Sequence, residues 1–456
     1  MREVIMSSKE QSIKLLIGLG IGFLFFIIAI NFVTVTQASL IGIIALLVTY
    51  WSNEALPLGA VSLLPILLFP AFSILEVKET TINYAHPIIY LFLGGFLLAI
   101  AVEKSNLHHW IADKILGLFP STVRGIIFSL AITAGLLSSV LSNTTTTLLL
   151  ISIALFLSED PKIKMRFALA IAYGASIGGI LTPIGTPPNL ILMGIMEEKG
   201  MELIPFFQWM WMVAPLVFSM FLVAGFVLSV GVKGIEIERD VNVPPLNADQ
   251  KKVLYVLGGL ITLLLVNAPI RPYWNGLGMS ESLILLGAGL TLFLPPLNQL
   301  MWKDDAHKVP YQIMFLFGAG FSIAKGFSQT GLADVFASYL LDITTLMPIL
   351  LLLSIAFLIT FTTEITSNTA LISIMLPVIY AVSEQAGINT TLFMMVATVC
   401  ASYAFMLPIA TAPNAIAMSS GVIDIKTMAK YGLVLNLIGI FLIVCIAYIF
   451  WRHILV

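Results

Sequence analysis

Apolar stretches recur almost from end to end of this chain, separated by short polar segments. Those at 13–34, 38–52, 57–74, 86–103, 166–183, 206–231, 253–269, 279–296, 309–326, 391–408 and 430–451 approach the ~20 residues that carry a helix across a bilayer. Two more, 122–156 and 346–383, are interrupted midway by "SNTTTT" (Ser142 to Thr147) and "SNTA" (Ser367 to Ala370). Each reads either as two crossings or as one re-entrant hairpin, because non-helical backbone at membrane depth is tolerated only where protein or water surrounds it.

Basic residues decide between these. Arg2, Lys9 and Lys14 precede the first span, and Lys114 and Arg124 precede 122–156, with Lys162, Lys164 and Arg166 after it. Lys233, Arg239, Lys251 and Lys252 fall in the central polar stretch 233–252. The positive-inside rule assigns these segments and the N-terminus to the cytoplasm. Bases on both sides favour a first hairpin entering from the cytoplasm. The second stretch has none at either flank, which favours entry from outside. The expected fold is an all-α polytopic membrane protein with about eleven spans and two opposed hairpins, its C-terminus outside, and multi-pass in the plasma membrane.

Composition supports that class. The chain is 59% apolar and only 10% charged, with mean hydropathy +1.03, where soluble domains carry about 25% charged residues. A net charge of −2 points to no nucleic-acid partner. Cys400 and Cys445 lie in apolar runs and read as inert thiols, and the five histidines lack metal-ligand spacing. No His-Glu, Ser/Lys or paired-Asp arrangement within the spans suggests an intramembrane enzyme.

The chain also repeats itself. "PIGTPPNLI" (Pro183 to Ile191) and "PIATAPNAI" (Pro408 to Ile416) share six of nine residues, 225 positions apart. At the same offset "LFLGGF" (Leu91 to Phe96) falls on "LFGAGF" (Leu316 to Phe321), and Ser142-Asn143-Thr144 falls on Ser367-Asn368-Thr369. Three matches in one register imply an internal duplication. With an odd number of crossings between equivalent points, the repeats are inverted, which is a pointer to a secondary transporter with its site near the midplane. The chain then divides into 1–38 with the first span, repeat 1 over 39–232, a linker at 233–252, and repeat 2 over 253–451.

The prolines of both phrases break helices inside apolar sequence. Freed carbonyls at such breaks can bind a cation, and the N-termini of resuming helices offer N–H groups to an anion. Thr186, Asn189, Thr411 and Asn414 add neutral donors and acceptors, as do the two Ser-Asn-Thr phrases. Glu364 and Lys325 have no charged equivalents in the other half (Ser139 and Ile100) and read as structural or water-facing. Thr145 to Thr147, also without repeat partners, read as packing residues.

At these motifs the sequence resembles the divalent anion/sodium symporter family, the INDY-type di- and tricarboxylate carriers. The likeness runs over nearly the whole chain, through the paired Ser-Asn-Thr phrases, "GGILTPIGTPPN" (Gly178 to Asn189) and "AFMLPIATAPN" (Ala404 to Asn414). It implies a homodimer with a scaffold domain and a mobile transport domain that works as an elevator. It implies one sodium site at Ser138, Ser142, Asn143 and the backbone of Gly185, and a second at Thr363, Thr366, Asn368 and the backbone of Ala410. Substrate carboxylates would meet Asn143 and Thr144 on one side and Ser367, Asn368 and Thr369 on the other, closed in by Thr186, Pro187, Thr411 and Ala412. The expected cargo is a C4-dicarboxylate such as succinate, malate or fumarate, or a related di- or tricarboxylate, imported with Na+. Two departures stand out: Ala412 where some relatives have a second proline, and Thr366 where some have a small apolar residue. The alternatives within the fold are a sodium-independent dicarboxylate exchanger and a sulfate carrier.

Overall fold

The computed structural model describes residues 8–232, 234–237, 243–269, 273–344 and 347–455. The first half opens with α1 (Ser8–Ala29), α2 (Val35–Asn53), α3 (Leu58–Ala71), a short α4 (Val77–Ile82), α5 (Pro87–Lys104) and α6 (Leu107–Leu118). A hairpin of α7 (Val123–Ser138) and α8 (Asn143–Phe156) follows, then a broken helix, α9 (Pro161–Gly179) and α10 (Pro187–Glu198), and α11 (Phe206–Leu228). The second half runs through α12 (Ala248–Asn267), α13 (Glu281–Thr291), a short α14 (Trp302–Asp305), α15 (Tyr311–Thr330) and α16 (Leu332–Thr344). Its hairpin is α17 (Pro348–Thr363) and α18 (Asn368–Ala386), its broken helix α19 (Thr390–Ala401) and α20 (Ala412–Ser419), and α21 (Ile425–Ile449) follows.

Every expected apolar span has its helix, but several are shorter than the apolar run that announced them. Among the described residues six segments are long and apolar enough by themselves to cross a membrane: Lys9–Ala29, Val35–Asn53, Val77–Lys104, Phe206–Leu228, Asn368–Ala386 and Ile425–His453. The runs at 166–183 and 391–408 include breaks, so their helices stop at Gly179 and Ala401. Arg2 and Arg239, counted in the orientation argument, lie outside the described residues, as does Lys233.

Besides the short α4 and α14, two longer helices escaped the hydropathy reading. α6 and α16 have 12 and 13 residues, and one side of each buries only a few apolar groups, among them Leu107, Ala112 and Leu116 in α6 and Leu332, Ala333 and Ala337 in α16. Their starts are nonetheless 225 residues apart, as are those of α4 and α14, α7 and α17, α8 and α18, and α10 and α20. Packing follows the same exchange. α8 lies on α20 while α18 lies on α10, and α9 meets α20 while α19 meets α10.

The ends of the elements sort onto two sides. Trp110 Nε1 of α6 donates to the Pro244 carbonyl at 3.0 Å, Gln250 Nε2 donates to the Asn106 carbonyl at 3.2 Å, and the amide of Val123 donates to Ile235 at 2.8 Å. The foot of the first hairpin thus sits beside the central polar stretch. α16 instead begins beside the α1–α2 turn, where Gln37 Nε2 donates to the Thr330 carbonyl at 2.8 Å. α7 and α9 cross through glycine: a Cβ on Gly178 would lie 2.1 Å from the Gly135 Cα. Small residues let helix backbones approach in an apolar medium, and this contact locks the hairpin against the broken helix.

Candidate functional site

Four helix N-termini meet where the hairpin tips face the two breaks. α8 begins at Asn143 after the N-cap Ser142, and α18 at Asn368 after Ser367. α10 begins at Pro187 after Thr186, and α20 at Ala412 after Thr411. The four ends enclose a cavity of about 290 Å³. Its lining includes all nine expected substrate residues: Asn143, Thr144, Thr186, Pro187, Ser367, Asn368, Thr369, Thr411 and Ala412. Phe92, Phe96, Ile313 and Leu316 complete an apolar wall, and among the described residues no Lys, Arg, His, Asp or Glu lines it. Aligned peptide dipoles give each N-terminus a partial positive charge and unpaired N–H groups.

The caps are used unequally. Ser142 accepts from the Thr145 amide and Thr411 from the Asn414 amide, whereas Ser367 and Thr186 make no side-chain cap bond. One hydroxyl from each half is therefore left for a ligand. Pro187 and Pro188 leave α10 without N–H groups at its first two positions, but at the start of α20 only Pro413 does so. Ala412 retains an amide at the cavity wall.

Of the expected sodium residues, Ser142, Asn143, Gly185, Asn368 and Ala410 line the cavity, while Ser138, Thr363 and Thr366 do not. Ser138 and Thr363 are fully buried behind it. Ser138 Oγ donates to Asn143 Oδ1. At the equivalent place Thr363 Oγ1 lies 2.6 Å from Asn368 Oδ1 and 2.9 Å from the Ala401 carbonyl. Glycine makes room for this cluster in the first half: a Cβ on Gly179 would lie 2.5 Å from Asn143 Oδ1, and one on Gly185 2.3 Å from the Gly179 carbonyl and 3.1 Å from that of Ser138. The result is a set of neutral oxygens, the donor type that unwound transporter helices offer to Na+. The Thr366 hydroxyl donates back to the Thr362 carbonyl at 2.9 Å, so only its lone pairs remain for another partner.

The citrate transporter family model matches residues 44–391. The chain belongs to the citrate transporter family. That family is one of transporters, not enzymes. Among its relatives, the sodium-dependent dicarboxylate transporter SdcS of Staphylococcus saprophyticus is 31% identical over 97% of this chain and 92% of its own length. SdcS of Staphylococcus aureus strain USA300 is 32% identical over 96% and 92%. Two solved structures share the fold at low identity. MtrF of Neisseria gonorrhoeae, described as illuminating a class of antimetabolite efflux pumps, matches with TM-score 0.61, 15% identity, 84% of this chain and 85% of its own. The YdaH transporter of Alcanivorax borkumensis matches with TM-score 0.59, 16% identity, 83% and 89%.

In this family member, further residues hold the breaks in shape. Asn189 Nδ2 donates to the Thr182 carbonyl at 2.9 Å, and Asn414 Nδ2 lies 3.0 Å from the carbonyls of both Leu407 and Ala404. Both side chains are fully buried, and both Oδ1 atoms lack a partner. Their duplication in the sequence marked them as neutral donors and acceptors at the breaks, and their amide nitrogens clasp the break carbonyls. Trp209 Nε1 of α11 donates to the Ile180 carbonyl in the first break at 2.9 Å. In the second break Glu364, only 3% exposed, accepts from the amides of Met406 at 2.9 Å and Leu407 at 3.0 Å and from Asn436 Nδ2 at 2.6 Å. A lone intramembrane carboxyl was the available signal, and its partners are two backbone amides and the Asn436 side chain.

Proposed function

We propose that this protein imports C4-dicarboxylates, or closely related di- and tricarboxylates, into the cell together with Na+. One observation carries the reading: a cavity without a charged side chain, bounded by four helix N-termini and backed by two hydroxyl–amide pairs in the same register. A dianion there requires compensating charge, because unpaired charge in a low dielectric is strongly disfavoured. Na+ held by Ser138, Ser142, Asn143 and the Gly185 backbone, and by Thr363, Thr366, Asn368 and the Ala410 backbone, supplies it. The naming of the SdcS relatives as sodium-dependent dicarboxylate transporters supports the same reading.

Each carboxylate meets one Ser-Asn-Thr phrase: Asn143 and Thr144 on one side, Ser367, Asn368 and Thr369 on the other. Thr186, Pro187, Thr411 and Ala412 close the cavity. The repeats are inverted, and a homodimer moves its transport domain as an elevator in the plasma membrane, with the N-terminus cytoplasmic and the C-terminus outside. The shared start register and exchanged packing of the halves support the inverted duplication.

The test is uptake of labelled succinate into proteoliposomes. Accumulation should require an inward Na+ gradient and vanish when K+ or choline replaces Na+. Undiminished accumulation without Na+ would replace this reading with exchange or proton coupling. Competition by malate, fumarate, citrate and sulfate then fixes the cargo.

A further inference from the structure

The N-terminal ends of α9 and α21 and the C-terminal end of α11 frame a groove of about 700 Å³, remote from the cavity between the hairpins. Among the described residues three basic side chains line it, Lys162, Arg166 and Lys430, with Asp424 as the single acidic one. Asp424 is already engaged: its carboxylate accepts from the Thr427 amide at 2.9 Å and hydroxyl at 2.6 Å. Arg166 is fixed, with Nη1 donating to the Leu228 carbonyl and its guanidinium 5.9 Å from the Tyr431 ring centre. Its Nε is buried and has no partner. A preset guanidinium flanked by two exposed lysines is a receptor for a phosphate oxyanion.

From this basic end an apolar strip leads along α21. Val434, Leu437 and Phe441 follow at helical spacing and are 40, 49 and 64% exposed. Leu437 and Phe441 also line a second hollow of about 490 Å³ with Leu353 and Phe357 of α17. Lys430 to Phe441 spans about 16 Å at 1.5 Å per residue, roughly half of a ~30 Å hydrocarbon layer. A charged head site continuous with a track one leaflet deep fits a whole lipid rather than a soluble anion.

We propose that this groove binds an anionic phospholipid, its phosphate between Arg166 and Lys430 and an acyl chain along Val434, Leu437 and Phe441. Under the topology argued above, the lipid belongs to the cytoplasmic leaflet, where anionic headgroups meet basic pockets between helices.

The full-length protein in uncharged detergent is offered phosphatidylglycerol, phosphatidylcholine or inorganic phosphate. Retained lipid is counted by native mass spectrometry and the thermal midpoint is recorded. Phosphatidylglycerol should be retained preferentially and raise the midpoint. Lys162→Gln with Lys430→Gln should lower its retention roughly tenfold or more, with the midpoint in phosphatidylcholine unchanged. Lys251→Gln with Lys252→Gln, in α12 beyond the groove, should leave retention as in the wild type. Equal retention of both lipids, equal protection by inorganic phosphate, an unaffected Lys162/Lys430 variant, or an equal loss in the Lys251/Lys252 variant would each overturn the proposal.

Discussion

Glu364→Gln tests whether the second break is held in shape for a cation. The Glu364 carboxyl accepts three hydrogen bonds, from the amides of Met406 and Leu407 and from Asn436 Nδ2. Glutamine keeps the length of the side chain but only one acceptor oxygen. If that oxygen stays with Met406 and Asn436, the new NH2 faces the Leu407 N–H, donor against donor. The buried Leu407 N–H is left without an acceptor, which costs about 1–3 kcal/mol. Leu407 immediately precedes Pro408 and lies three residues before Ala410, whose backbone is the proposed cation ligand.

If the break relaxes by that amount, sodium affinity falls about 5- to 150-fold. The assay is succinate uptake against Na+ concentration, with the protein's retention in detergent as a folding control. The Na+ concentration for half-maximal uptake should rise steeply, while Asn436→Ala, which removes only one of the three donors, should raise it less. A folded Glu364→Gln protein with wild-type sodium dependence would refute the reasoning. The break would then be held by Asn414 and its own backbone, with Glu364 contributing nothing to the cation site.

Three further outcomes are expected. Thr144→Ala and Thr369→Ala should each weaken dicarboxylate binding about tenfold or more, measured by competition. Thr146→Ala, fully buried and off the cavity lining, should do much less; a strong Thr146 effect with Thr369 silent would place the duplication in the scaffold. Gly179→Ala drives a Cβ to 2.5 Å from Asn143 Oδ1; at the 1–3 kcal/mol typical of overpacking, sodium dependence should shift right while expression stays normal. Asp305 bonds Lys104 at 2.6 Å and the Met301 amide at 2.9 Å, with Lys308 at 3.6 Å. Burial alone would raise its carboxyl, but these partners outweigh it and hold it below the ordinary carboxylate value. A depressed carboxylate stabilises the folded state above its unfolded pKa and loses that contribution as pH falls through the folded value. The wild-type thermal midpoint should therefore drop below about pH 4, and Asp305→Asn should remove about 1–3 kcal/mol at pH 7 and flatten that drop.

Much of the fold was legible because lipid imposes a length and a period on apolar sequence. Spans, hairpins and the two breaks could each be read from where the apolar runs begin and stop. α6 and α16 could not, because a helix of 12 or 13 residues with one modest apolar side resembles a loop in hydropathy. The phrases that line the cavity were marked by their duplication, since a single Ser-Asn-Thr or Pro-Asn phrase is ordinary, and the assignment of individual residues came with the family resemblance. What stayed hidden are partners that depend on tertiary approach, such as Trp209 reaching the Ile180 carbonyl. No local pattern marks a tryptophan in α11 as the partner of a carbonyl 29 residues earlier.

Glu364 belongs to that hidden class, and its presence in one half only has a structural cause. The first break runs from 180 to 186, the second from 402 to 411, because α19 ends three residues earlier in the repeat register than α9 does. Three more residues outside a helix means more backbone groups without helical partners, in a place where water cannot serve them. In the first break, the Leu181 amide finds the Gly178 carbonyl at 2.9 Å within a tight turn. Its equivalent, Met406, finds Glu364 instead. α21 comes close enough to share the task because Gly432 has no side chain: a Cβ there would lie 2.2 Å from the Phe405 carbonyl. One turn further on, Asn436 donates to Glu364. The first-half counterparts of Gly432 and Asn436 are Phe207 and Trp211, too large for such an approach. The longer break, the carboxyl and the glycine–asparagine face of α21 thus form one coupled solution. A carboxyl stands at Glu364 where the first half has Ser139 because it answers a deficit of acceptors, and among the described residues the cavity itself is lined by no ionisable side chain.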